Sequence, residues 1–401
     1  MALLAERFKR FFLIWGLAIF IPLGAASKQS MGTSFILLAS MLIVTTFLSS
    51  PRQLIPDRSV FISLFSFFLY ILGVHFFSVQ CVPCKSLLLT KIPMLALVFW
   101  VASSNLTRFV HSPRPNIPVA LILGLFTTSL FLIIEFLNDA MIYRFVSDRL
   151  NDPEVALSRY NRVTNALVIF VWPISYWVYR KGHPFIAVIL ISITCFTAAL
   201  SDSNSALVIS ILIPLVAIAA YFFATFIFLL VLSSLSIFTL LSPIIFLFLL
   251  NCVKPFADRI PPSTLDRIEI WHRTASAVLE APWLGNGIGV TRYLVIPPEL
   301  MDQYKYHVTA TTHPHNSAIQ LWLELGVIGV IIFLLVLWFV IQPLRKINST
   351  CLCLASATAV GVIFTSLVSF GFWQETWLGI IGMVVICFKV ALYGSDDNYP
   401  S

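Results

Sequence analysis

The sequence predicts an all-α polytopic membrane protein of about 12 transmembrane helices, with a large outer loop that contains short amphipathic helices. Three observations lead there. Of 401 residues, 59% are hydrophobic and only 11% are charged, too little polar cover for the surface of a soluble domain. Apolar runs of about 16 to 26 residues recur along the chain, and about 20 suffice to cross a bilayer as a helix. Lys and Arg gather in alternate short loops, the pattern of a chain with a fixed inner side.

The elements follow in order. Residues 11–26 come directly after Arg7, Lys9 and Arg10, which puts the N-terminus inside. The run continues into further spans without a convincing cleavage site, so it reads as a retained helix and not a signal peptide. Spans 33–48 and 59–79 flank Arg52 and Arg58. Span 87–104 carries Lys91 about one turn in, where a long side chain snorkels to the interface. Spans 119–137, 164–179 and 184–200 are well separated, whereas 206–223 and 225–250 are divided only by a hint of a turn between Tyr221 and Thr225. Spans 317–341, 351–370 and 376–393 complete the set, and the even count brings the C-terminus inside. On this topology the inner face holds twelve basic residues against four acidic ones (Glu6, Asp57, Asp396, Asp397), a surplus that accounts for the whole-chain charge of +7. The charge therefore reports topology and gives no reason to expect a nucleic-acid partner.

Residues 1–401 read as a single integral-membrane domain with two outer segments too long for turns, 138–163 and 251–316. Each balances its charges: the second has six bases and six acids. Any anion site there must rest on individually placed arginines. Within 251–316 the stretch "PPSTLDRIEIWHRTASAVLEAPWLGNGIG" predicts a helix. Ser263 with Asp266 resembles a capping box, and Pro282 and Gly285 end the run. Leu265, Ile268, Trp271, His272, Ala275, Val278 and Leu279 form its apolar stripe, suited to the membrane surface or to packing over the bundle. Arg267 and Trp271, four apart, share a face beside that stripe. Gly285, Gly287 and Gly289 fit no nucleotide fingerprint and read as a helix stop followed by turns. Cys81 and Cys84 lie in an outer loop, equally suited to a disulfide and to two separate thiols.

The densest polar signal is "HPHNSAIQLWLELGVIGV", residues 313–330. His313, His315 and Asn316 stand at the membrane-entry end of a span, and Gln320 and Glu324 continue their face two turns inward. A carboxyl at that depth normally faces a cavity or a partner. Gly326 and Gly329 are spaced for the close approach of a neighbouring helix. Arg162, in "RYNRVTN" at another span entry, is a candidate phosphate ligand and equally an interfacial anchor, with Arg159 one turn before it. "SDSNSA" (201–206), with Asn204, joins two spans and reads as a turn with a helix cap. His307, His313 and His315 lack a carboxylate or Cys set at ligand spacing, so neither a metal nor another cofactor is expected.

Together these stretches resemble the O-antigen ligase family, within a superfamily that includes O-antigen polymerases and bacterial O-oligosaccharyltransferases. The family signature, His followed by Asn, Ser or Gln, nine residues, Gly, two residues and Gly, is present as His315, Asn316, Gly326 and Gly329. "RIEIWHRTASAVLEAPWLGNGIGV" and "YNRVTNALVIFVWP" are similar to its outer-loop segment and its arginine-bearing helix entry. "SDSNSA" is similar to its small-polar turn, although relatives of the polymerase branch often carry arginine where this chain has Asn204. The resemblance implies transfer of a glycan from undecaprenyl diphosphate to a sugar hydroxyl of lipid A–core, without metal, on the periplasmic side of the bacterial inner membrane. It implies catalytic roles for His315, Arg267 and Arg162. Substrate contacts fall to Arg159, Asn316, His313, Asn204 and Trp271, and structural roles to Glu324, Gly326 and Gly329. A polymerase or a protein O-oligosaccharyltransferase shares donor and chemistry and differs in acceptor. A transporter also needs a polar-lined bundle but often shows two related halves or broken helices at mid-membrane, whereas here the polar residues gather at the outer ends.

Overall fold

The computed structural model describes residues 1–27, 29–77, 88–111, 118–147, 157–301, 303–306 and 311–393. Cys81, Cys84, His307 and Asp302 lie outside them, as do residues 148–156 of the first outer segment. Each of the twelve apolar stretches forms a helix, and the described residues contain no strand. The membrane-type helices are α1 (Ala2–Ala26), α2 (Ser30–Ser49), α3 (Arg58–Phe77), α4 (Leu88–Ser103) and α5 (Pro118–Leu137), then after the short outer α6 (Met141–Val146) come α7 (Asn161–Arg180), α8 (Pro184–Leu200), α9 (Asn204–Phe222) and α10 (Ala224–Val253). The second outer segment carries α11 (Pro262–Val278) and the one-turn α12 (Pro298–Met301). It leads into α13 (Ser317–Ile341), α14 (Ser349–Val368) and α15 (Glu375–Tyr393).

Among the described residues, nine helices are long and apolar enough to cross a membrane, against the twelve spans expected. The other three are α4 and α8, apolar but shorter, and α7. The low apolarity of α7 has a packing reason: α1, α5, α8, α9, α14 and α15 surround it. Fourteen of its twenty residues are buried. Residues shielded from lipid need not be apolar, so α7 carries Thr164 and Asn165 inside. Asn165 donates to Ser203 Oγ and accepts from Ser205 Oγ, both at 3.1 Å, while Ser203 caps α9. The "SDSNSA" turn is thus tied to the start of α7.

The alternating chain direction sorts the polar residues to two ends. At one end, the starts of α4 and α15 meet through Lys91 and Glu375, 2.7 Å apart, and the lysine does reach the helix mouth. At the other, buried Glu6 accepts from the Val110 and His111 N–H groups, Lys9 donates to Arg108 O, and Lys389 donates to Val101 O and Ser104 O. The basic loops of the sequence therefore stand opposite the end that collects the histidines.

Two expectations for the second outer segment are corrected. The start of α11 is Pro262, with no side-chain cap, so Ser263 lies inside the first turn and Asp266 beyond it, and they form no capping box. And α11 is buried on more than its apolar stripe, since Glu269 and Arg273 are buried too. It packs over α10 and α13. Glu269 accepts from the Lys305 and Tyr306 N–H groups, and Arg273 donates to Val295 O, which folds the rest of the segment back onto the helix.

The third correction concerns Gly326. It does not admit a neighbouring helix; it breaks its own. Its φ of 63° and ψ of −174° are non-helical, a region essentially reserved for glycine. A break in α13 orphans carbonyls above it and N–H groups below it, and the outer segment supplies the partners. Asn286 and Gly287 N–H donate to Leu323 O and Glu324 O at 2.8 and 3.1 Å; Val327 and Ile328 N–H donate to Pro282 O and Trp283 O at 2.9 and 3.3 Å. Tyr70 of α3 donates to Leu325 O at 2.6 Å. The two backbones can approach this closely because both contact points are glycine: a Cβ on Gly326 would stand 2.4 Å from Trp283 O, and one on Gly285 would stand 2.5 Å from Leu325 N. Gly329, by contrast, does face a neighbouring helix, with Tyr70 of α3 against it.

Candidate functional site

The site is organised by the frayed end of α14. A helix leaves its last carbonyls without partners, and here three successive ones are taken up by side chains from distant parts of the chain. Asn316 Nδ2 donates to Leu367 O at 2.8 Å, Arg267 Nη1 donates to Val368 O at 2.7 Å, and His315 Nδ1 lies 3.1 Å from Ser369 O. A carbonyl only accepts, so Nδ1 of His315 carries the proton and Nε2 keeps its lone pair. In the neutral ring the basic nitrogen is then Nε2, turned away from that carbonyl.

Around His315 the loop is tightly specified. Asn316 caps α13, its Oδ1 accepting from Ala318 and Ile319 N–H at 3.0 and 3.1 Å. With its amide also bound to Leu367 O, Asn316 is a positioning residue whose side chain is committed within the chain. Trp271 packs on Phe246 and donates to Pro314 O at 2.8 Å, so it too holds the loop. His315 itself has φ of 54°, an uncommon conformation for a residue with a side chain. His313 stabilises it: Nδ1 accepts the His315 N–H at 3.2 Å, the rings lie 4.1 Å apart, and Nε2 meets the Gln374 side-chain amide. Burial depresses His313 to about 3, helped by His315, Arg162, Arg292 and Arg267, so it stays neutral at any physiological pH. Burial likewise lowers His315; the Ser369 carbonyl opposes the shift, and Arg267 and Arg162 reinforce it.

The structure thus brings His313, His315, Arg162 and Arg267 together. Arg292, which follows the spaced glycines, belongs with them and is missed by the sequence reading. Its only sequence signal is an arginine in a charge-balanced loop. Arg162 has no hydrogen bond or ion pair among the described residues, and Arg267 uses one nitrogen on Val368 O. Both are half-buried. Arg159 is elsewhere, stacked over the Tyr143 ring. Asn204 is exposed at the first residue of α9. Gln320 and Glu324 form the floor. Gln320 donates to Glu324 at 2.9 Å and accepts from Phe372 N–H at 2.8 Å, and Glu324 also accepts from Trp373 Nε1. The fully buried Glu324 therefore binds α13 to the α14–α15 turn. Gly371 of that turn has no room for a Cβ, since His313 would lie 2.8 Å away. Among the described residues, no group of three or more His, Cys, Asp or Glu is arranged to hold a metal ion.

Such an arrangement suits proton abstraction by a neutral imidazole next to cations that hold a polyanion. A family model described as O-antigen ligase matches residues 185–334, which include Arg267, His313, His315 and the Gly326 break but not Arg162. A protein of Rickettsia prowazekii named "putative polysaccharide ligase" is 25% identical over 394 residues, covering 92% of this chain and 94% of its own. Its namesake in Rickettsia bellii is 28% identical over 299 residues, covering 72% and 70%. By its helical architecture, its histidine motif and these likenesses, the chain is similar to the O-antigen ligase family.

Proposed function

We propose that the protein transfers a glycan from undecaprenyl diphosphate to a sugar hydroxyl of lipid A–core, as a metal-independent glycosyltransferase. Its site faces the periplasm and both termini lie in the cytoplasm of a bacterial inner membrane. In this reading His315 Nε2 takes the proton of the acceptor hydroxyl as the oxygen bonds to the anomeric carbon of the donor glycan. The bond from that carbon to the diphosphate breaks, and undecaprenyl diphosphate leaves with the electron pair. Arg162 and Arg267 oppose the charge that grows on the diphosphate; guanidinium stays protonated and forks onto phosphate oxygens. The lipid tails lie along the outer faces of the helices.

The observation that carries this reading is the state of His315: Nδ1 bound to Ser369 O, Nε2 left as the base, with Arg162 and Arg267 close enough to depress its proton affinity. The test is complementation of a deletion strain, read as a glycan ladder. Wild type restores long glycan on lipid A; His315→Ala, inserted in the membrane at normal level, leaves lipid A bare while the lipid-linked chains stay long. Near-normal ligation by His315→Ala removes the base. Shortened lipid-linked chains in the deletion strain identify a polymerase instead.

A further inference from the structure

A second pocket opens beside His313, on a different wall from His315. Lys91 of α4, Arg292, Thr312, Trp373 and Gln374 line it together with His313; His315, Arg162 and Arg267 do not. Its charge has a surplus. The ammonium of Lys91 is matched by the carboxylate of Glu375 at 2.7 Å, whereas Arg292 is exposed and has no acidic partner among the described residues. Thr312 adds a hydroxyl, also exposed. His313 contributes no positive charge, since its Nδ1 accepts the His315 N–H. What remains is one unmatched guanidinium, one lysine and a hydroxyl around a recess a single ring away from the proposed base. The two histidine rings are 4.1 Å apart.

We propose that this pocket is an anion subsite for an acidic substituent, carboxylate or phosphate, on the acceptor saccharide, with Arg292 as its main ligand and Lys91 and Thr312 beside it. The inference rests on His315 as base: the acceptor hydroxyl must reach His315, and the diphosphate occupies Arg162 and Arg267. A sugar whose hydroxyl lies at His315 places its neighbouring residue over His313, within reach of Arg292. Guanidinium geometry suits both acids, because each offers two oxygens to the fork. A neutral His313 between the two cation groups keeps them from merging into one diphosphate site. The subsite would thus select an acceptor by its charge while leaving the donor requirement unchanged.

Equilibrium binding to the purified full-length protein in detergent tests this with four probes: glucuronic acid, glucose 6-phosphate, glucose and inorganic pyrophosphate. Wild type is expected to bind at least one acidic sugar better than glucose, and the better of the two identifies the acid. Arg292→Gln should weaken that sugar by on the order of tenfold or more, the loss of a charge-assisted contact, and leave pyrophosphate unchanged. Arg162→Gln should do the reverse. Acidic sugars that bind wild type no better than glucose overturn the proposal. So does Arg292→Gln weakening pyrophosphate as much as Arg162→Gln, which would put Arg292 on the donor. The base is tested apart from the subsite: if His315→Ala keeps transfer activity while Arg292→Gln still loses the acidic sugar, the base reading fails and the subsite stands.

Discussion

At His315, two features act together: a left-handed backbone, φ 54°, and a ring held by a carbonyl from another helix. Both are bound to its environment, and the protonation chemistry follows. Burial and the fields of Arg267 and Arg162 lower its proton affinity, so the neutral, basic form persists below the ordinary histidine value near 6.5. The sign is therefore fixed. For the free enzyme, kcat/KM should stay flat from neutral pH down through about 6.5 and fall only below it. A bound diphosphate opposes the arginines' field, so the acid limb of kcat should lie at higher pH than that of kcat/KM. A kcat/KM limb above the ordinary histidine range would exclude His315 as the base of the free enzyme. The arginines divide differently. Arg162→Ala and Arg267→Ala should each lower turnover by on the order of 100-fold, the scale for removing one preorganised donor. Lysine should rescue Arg162 better than Arg267, because Arg267 must hold Val368 O and still present a second nitrogen to the substrate. Full turnover in both lysine variants would show that charge alone is enough.

At the scale of the element, the broken helix α13 decides how the outer segment docks. The sequence showed the glycines and not their use: the spacing of Gly326 and Gly329 fits helix packing, and only Gly329 serves it. What Gly326 does depends on residues 282–287, about forty positions earlier, whose N–H and C=O groups fill the break. No local period encodes such a pairing. Gly326→Ala should cost at least about 1–3 kcal/mol from backbone strain alone, before the clash with Trp283 O at 2.4 Å. Gly285→Ala should cost a similar amount, and the double variant should cost less than their sum, since one approach is lost in each case. Gly329→Ala carries no such backbone strain, since its φ is not positive, but its Cβ would meet Leu325 Cβ at 2.3 Å and Tyr70 Cε1 at 2.9 Å, so it too should lower the midpoint. Thermal unfolding in detergent orders the three; an unchanged midpoint for Gly326→Ala would show that the break is not required. Asn316→Ala removes a cap, worth about 1 kcal/mol, and also leaves Leu367 O unpaired.

At the scale of the molecule, the spans were legible because lipid imposes one rule on every helix, a long apolar run, and each stretch read that way is helical. Among the described residues α4 and α8 fall short of it in length and α7 in apolarity, since six helices shield α7 from lipid. The site was legible in part. His315 and Arg162 were marked as polar groups at span entries, where burial is costly without a reason, and Arg267 by its place beside Trp271 on an amphipathic helix. Val368 and Ser369 could not be marked, because only their carbonyls act, from a helix end 101 and 54 positions away from Arg267 and His315. The same whole-molecule arrangement leads to the last prediction. The fold places arginines from two separate segments, Arg162 at the start of α7 and Arg267 on α11, around one pair of histidines. Charge that a divalent ion would otherwise supply to a leaving diphosphate is then supplied by fixed guanidinium groups, which need no reorganisation as the bond breaks. Purified protein should therefore transfer glycan from a lipid diphosphate donor in excess EDTA and without ATP, the donor bond itself providing the driving force. Salt should inhibit only modestly, because Arg162 and Arg267 are half-buried and such charges are screened less than exposed ones. Loss of activity in chelator, restored by Mg²⁺ or Mn²⁺, would overturn the assignment. The carboxylates of the outer segment, Asp266 and Glu269 first, would then have to supply the ligands, although Glu269 already accepts from two backbone N–H groups.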